Sequence, residues 1–150
     1  MELILWRHAE AEDGFNDLAR KLTPKGHKQA GKMAAWLNLR LPRECRILSS
    51  PAVRARETAA ALGREIEIVP TLAPGASVQA ILQAAGWPGG SEDWVLIAGH
   101  QPDLGKVAGY LLDTQDALAL KKAAVCWFSN RNHDGGNEVV LRAVLGPDLL

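Results

Sequence analysis

Arg7 and His8 stand side by side after the apolar run Glu2 to Trp6. Ser49 and Ser50 close the run that begins at Arg46, with Arg54 about one helical turn further on, and His100 follows Trp94 to Ala98. A phosphoryl group carries nearly two negative charges. The guanidinium fork matches its oxygens in pairs where a lysine offers only a point charge, so Arg7 and Arg54 suit a phosphate clamp. A neutral imidazole nitrogen is a competent nucleophile near pH 7, and it stays aimed if its other nitrogen donates to a backbone carbonyl; His8 is the candidate. A second histidine among arginines can hydrogen-bond the equatorial oxygens as charge builds on them, which is the role open to His100. A lone strand-end histidine is usually structural. The convergence of four such residues at strand ends carries the reading.

The surrounding pattern supplies the elements that would bring them together. Glu2 to Trp6 reads as a buried strand, and the polar stretch Arg7 to Lys21 as a loop. Thr23 caps and Pro24 opens an amphipathic helix running through Ala30, Met33, Ala34 and Leu37 toward Leu41-Pro42. Arg46 to Ser49 is a second strand, Pro51 to Gly63 a second helix, and Glu65 to Val69 a short alternating strand. Val78 to Ala85 is helical, Trp94 to Ala98 a strand ending at Gly99-His100, and Leu104 to Leu112 helical. Ala123 to Phe128 and Glu138 to Val144 read as an antiparallel pair joined by Asn130 to Asn137, in which Asp134-Gly135-Gly136 favours a turn. The alternation predicts a three-layer α/β/α sandwich, with a mostly parallel sheet and an antiparallel edge strand. Ligands of such sheets gather beyond the carboxyl ends of the strands, where the four residues lie.

Composition limits the other possibilities. At 150 residues, with 47% hydrophobic and 23% charged side chains, residues 1–150 are expected to form one domain. Seventeen basic and seventeen acidic side chains cancel, which leaves no overall field to hold nucleic acid or a membrane; an anion must be captured locally. Cys45 and Cys126 lack CxxC or Cys/His spacing, which argues against a disulfide framework and a zinc site and fits a reducing cytoplasm. The N-terminal apolar run is too short for a signal sequence or a membrane span. No Gly-x-Gly-x-x-Gly follows the first strand, which removes a nucleotide-binding Rossmann reading.

Four strings occur in matching order: Leu5-Trp6-Arg7-His8-Ala9-Glu10, Leu22-Thr23-Pro24-Lys25-Gly26, Ser49-Ser50-Pro51-Ala52-Val53-Arg54-Ala55-Arg56-Glu57-Thr58-Ala59, and Gly99-His100. Together they resemble the histidine phosphatase superfamily, which includes phosphoglycerate mutases and acid phosphatases. The short length and Arg20-Lys21-Leu22-Thr23 look most like its SixA-type phosphohistidine phosphatases. The resemblance implies a phosphoglycerate mutase-like fold, His8 as phospho-acceptor, Arg7 and Arg54 as phosphate ligands, His100 as the second pocket histidine, Arg20 as a further ligand, and neither metal nor other cofactor. Ala9 stands where much of the superfamily has glycine, which is acceptable if the backbone there avoids positive φ.

Larger members carry a glutamate general acid on an inserted segment before the second histidine. Here residues 71–94 contain only Glu92 and Asp93 as acids, both just before the fourth strand and at its far end from His100. An alkoxide leaves badly without a proton, water itself having a pKa of about 15.7, whereas imidazole, near 6.5 as histidine, leaves far more easily. The expected substrate is therefore a phosphohistidine-bearing protein, such as a phosphorelay or phosphotransfer protein. A small phosphorylated molecule, taken by a phosphomonoesterase or mutase, is the alternative, and a non-catalytic phosphate- or phosphohistidine-binding module is a third reading. Glu10 is the nearby carboxylate offered as acid or water-activating base. Ser50, before Pro51 and without a nucleophile elbow, suits a turn or a phosphate contact. His27, His133 and Arg56 read as surface residues, the five tryptophans as packing, and Trp87 to Gly90 as a loop at the pocket rim.

Overall fold

The computed structural model describes residues 1–150. Six strands and four α-helices follow in the order β1 (Glu2–Arg7), α1 (Pro24–Asn38), β2 (Arg46–Ser49), α2 (Val53–Ala60), β3 (Glu67–Ile68), α3 (Val78–Ala85), β4 (Trp94–Gly99), α4 (Asp103–Leu111), β5 (Val125–His133) and β6 (Gly136–Leu145). The sheet order is β3-β2-β4-β1-β5-β6. Strands β3, β2, β4 and β1 pair in parallel, and β5 turns antiparallel to both β1 and β6.

Strand alternation explains the layers. Ile4 and Trp6 point to one face, where they join Ala30, Met33 and Leu37 of α1 and Ala59 of α2. Leu3 and Leu5 point to the other, with Ile81 of α3 and Leu104 and Val107 of α4. Complete burial of a leucine or isoleucine stabilises by about 1.5–3 kcal/mol, so each face is secured by packing on the strands that end at the site. No helix is long and apolar enough to cross a membrane.

Register aligns the strand ends. Trp6 lies beside Ala98, Arg7 beside Gly99, and Ser49 beside Ala98. The chain leaves β1, β2 and β4 at one level, which puts His8, Ser50 and His100 on the same sheet edge.

Thr23 caps α1 by accepting from the Gly26 N–H, with Pro24 at the first helical position. The helix ends at Asn38, short of the predicted Leu41, and α2 occupies only the middle of Pro51 to Gly63. The hairpin differs more: β5 and β6 run on to His133 and Gly136, so the turn is only Asp134-Gly135. Trp87 to Gly90 also departs from its predicted place. Asn130 donates to the Pro88 carbonyl, and the Asn130 N–H to that of Met1. The loop therefore lies at the edge where β1 begins, opposite His8.

Helix α1 touches the loop after β1 at Gly26, where an added Cβ would sit 2.0 Å from the Glu10 carbonyl oxygen. Gly31, five residues along, faces open space. Gly26→Ala is expected to destabilise by roughly 1–3 kcal/mol, as overpacking does. Gly31→Ala should stabilise by up to about 1 kcal/mol through helix propensity. Urea denaturation of both variants measures the contrast, and equal effects would refute the close approach.

Candidate active site

The backbone of His8 is fixed on both sides: its N–H donates to the Gly99 carbonyl, and its carbonyl accepts from the Ala123 N–H. Ala9 is fully buried, donates to the Thr58 hydroxyl and avoids positive φ, so alanine fits where glycine is common. The His8 Nδ1 lies 2.7 Å from the Ala9 carbonyl oxygen. A carbonyl can only accept, so Nδ1 carries the proton and Nε2 the lone pair. The Arg54 Nε–H donates to that Nε2 at 3.3 Å.

His100 holds the complementary arrangement. The Ser50 hydroxyl accepts from the Ala52 N–H and lies 2.7 Å from the His100 Nε2. A serine hydroxyl that accepts from Ala52 can still donate its own O–H to Nε2, and in that tautomer the His100 proton is on Nδ1. That Nδ1 is buried and has no protein partner, and the same holds for the Arg7 Nε. Buried polar atoms are nearly always hydrogen-bonded, so these two nitrogens are suited to the oxygens of a bound anion. The two imidazole rings are 5.4 Å apart, centre to centre.

Both histidines are held neutral. Burial, then the Arg54, Arg7 and Arg20 charges, push His8 down to about 4 against the opposing Ala9 hydrogen bond. Burial, then Arg54 and His8, push His100 to about 3. The unfolded chain takes up protons near pH 6.5 that the native pocket refuses. The stability contributed is therefore fully present above about pH 6.5 and is lost as pH falls through about 4 for His8 and about 3 for His100. Thermal midpoints should decline over that interval, and His8→Asn should flatten the decline. An unchanged slope in that variant would contradict the neutral-imidazole assignment.

The arginines approach from three segments. Arg7, at the end of β1, donates through Nη1 to the Leu120 carbonyl, and burial lowers its pKa from the ordinary guanidinium value. Arg54 is on the first turn of α2 and only 4% exposed. Arg20 lies after a short 3₁₀ turn, Asp17–Ala19. All three, with His8 and His100, line a cavity of about 600 Å³.

Asp17, which sequence reasoning missed, ties the loop to the helix. Its carboxylate accepts from Arg20 and Arg54, and its carbonyl accepts from the Arg54 Nη1 at 2.7 Å. Desolvation opposes its charge, but the hydrogen bonds from Arg20 and Arg54 prevail and hold the carboxyl below its usual range. Asp13 and Asp103 also line the cavity, so Glu10 is not the only nearby carboxylate. Asp103 accepts from the Gly75 N–H.

Glu10 turns elsewhere, to the Thr23 hydroxyl and Lys122, and is absent from the cavity wall. The Thr23 hydrogen bond, followed by Lys122 and Lys25, keeps its carboxyl low despite some desolvation. His27 pairs with Glu57 and His133 with Glu138, both exposed and remote. Cys45 and Cys126 are free and buried, and burial pushes their thiols up to about 11 and about 12.

The arrangement can attack phosphorus through the His8 Nε2 while guanidinium groups and the His100 Nδ1–H hold the oxygens. A family model of the histidine phosphatase superfamily (branch 1) matches residues 3–75. An uncharacterised protein of Picosynechococcus is 37% identical over 137 residues, covering 83% of this chain and 82% of that protein. Phosphohistidine phosphatase SixA of Escherichia coli is 32% identical over 122 residues, covering 75% and 72%. The solved structure of the protein histidine phosphatase SixA complexed with tungstate has a TM-score of 0.78 and 26% identity, and 99% of each chain is covered.

Proposed function

Because this chain belongs to the histidine phosphatase superfamily, we propose that it hydrolyses phosphohistidine on a partner protein through a phospho-His8 intermediate. The carrying observation is the pair of neutral, oppositely presented histidines among Arg7, Arg20 and Arg54 around one cavity. The kinship to SixA supports the choice of the P–N bond.

In the first step the His8 Nε2 forms a bond to phosphorus while the P–N bond of a phosphohistidine already protonated on its far nitrogen breaks; the partner's imidazole departs neutral, keeping that proton, and phospho-His8 keeps its own on Nδ1. Water then attacks phospho-His8, releasing inorganic phosphate and returning the His8 lone pair. Arg7, Arg20, Arg54 and the His100 Nδ1–H stabilise the oxygens in both steps. Asp17, ion-paired and held ionised, is no proton donor. An alkyl phosphate would have to find its proton elsewhere, and Asp13 and Asp103 are the cavity carboxyls left for it.

The test compares kcat/KM for phosphoimidazole, a phosphohistidine protein and an alkyl phosphate. Both phosphoramidates are expected to exceed the ester by at least about 100-fold, following leaving-group basicity. Faster ester hydrolysis would replace this reading with that of a small-molecule phosphomonoesterase.

A further inference from the structure

The chain carries no net charge, yet one groove has a strongly basic lining. Lys25, Lys28 and Lys32 recur at i, i+3 and i+7, so they share one face of α1 over roughly 10 Å of helix. Lys121 and Lys122, in the loop before β5, face them across the groove. Asp148 is the lone acid in its wall, and it is taken up by Lys121 at 2.9 Å. Lys25, Lys28 and Lys32 make no ion pair; Lys32 only donates to the Leu150 carbonyl.

Besides the lysines the groove is lined by Gln29, Pro147 and Asp148, and its volume is about 470 Å³. It opens beside the catalytic cavity, because Lys122 lines both. A row of like charges on one helix face repels itself; Glu10 offsets Lys122 and Lys25 in part and Asp148 offsets Lys121, whereas Lys28 and Lys32 face no carboxylate side chain. Opposite charge on a partner would neutralise them.

We propose that this lysine groove docks an acidic face of the partner protein and so delivers its phosphohistidine to His8; the inference rests on the phosphohistidine reading above. An acidic protein is favoured over a nucleic acid or a membrane because the basic surface is one short groove joined to the catalytic cavity, in a chain with no general positive field. Complementary charge of this kind acts chiefly on encounter and is weakened by salt.

The test uses the full chain with Lys28→Glu and Lys32→Glu together. Both positions are exposed helix surface away from the cavity wall. Three substrates are compared: an acidic protein phosphorylated on histidine with phosphoramidate, a chemically phosphorylated histone as the basic counterpart, and free phosphoimidazole. For the acidic protein kcat/KM should fall about tenfold or more at low salt, mainly through KM, and the gap should close near 1 M salt, where the screening length is about 3 Å. Turnover of phosphoimidazole should stay within about twofold, and the histone should lose nothing or gain. Lys28→Gln with Lys32→Gln should give a smaller loss in the same direction.

Unchanged turnover of the acidic protein by both double variants overturns the docking surface and leaves the phosphohistidine reading standing. Equal losses on protein and phosphoimidazole also overturn it, as they would report damage to the fold or the site. Lysine-dependent binding of a DNA duplex or anionic vesicles with unchanged protein turnover assigns the groove to another anion and overturns it too. Failure of the parent protein on both phosphoramidates removes the underlying reading, and the docking inference with it.

Discussion

His8→Ala should lower turnover of phosphoimidazole at least about a thousandfold, close to 4 kcal/mol at 1.36 kcal/mol per tenfold. The Nε2 lone pair is the group that would form the bond to phosphorus, and no other nucleophile of the fold has the same combination of position and ionisation. Ser50 is committed to Ala52 and His100, and both cysteines are buried with raised pKa values away from the cavity. The variant should still bind inorganic phosphate, because Arg7, Arg54 and the His100 Nδ1 are untouched. Phosphate release, acid-labile label on the quenched protein and phosphate binding are the three readouts. Retained turnover, or label on a residue other than His8, would sink the covalent mechanism.

Arg54→Ala is expected to cost about 100- to 1,000-fold in kcat/KM, the magnitude typical of losing one preorganised donor at a developing charge. The guanidinium is nearly fully buried, reaches the His8 Nε2, and binds both the backbone and the carboxylate of Asp17. Lysine at this position should recover little, since an ammonium group cannot reproduce the fork. A second readout separates the local field from mere positioning. Arg54 contributes to the lowered pKa of His8, so His8 should titrate higher in the variant, as NMR of its ring protons would show. A loss of threefold or less with an unmoved His8 titration would exclude Arg54 from the site.

Much of this geometry was legible because strand ends are. The buried runs from Leu3 to Trp6 and from Val95 to Ala98 mark parallel strands, and the residues that follow them must emerge at a common edge. Asp17 was not legible. Its neighbour Arg20 gives an i, i+3 signal, but its decisive partner is 37 positions away and meets it only because the polar loop folds back over α2. Asp103 escaped notice for a similar reason, as its partner Gly75 belongs to a distant turn.

The outer hairpin was underestimated because its far half is exposed. Arg131 to His133 and Gly136 to Val139 bury no side chain, so no alternation signals a strand there. The place of the Trp87 loop follows from strand direction. A connection that leaves a helix and enters a parallel strand lies where that strand begins, and β4 begins opposite His100.

The bond between His8 and the Ala9 carbonyl also fixes a stereochemical detail. With Nδ1 turned into the backbone, phosphorus can be received only on the τ nitrogen, so the trapped species should be a single regioisomer, τ-phosphohistidine. A partner histidine enters under no such restraint. The protein's own label and its substrate's can thus be different isomers, distinguishable by the nitrogen to which phosphorus is attached.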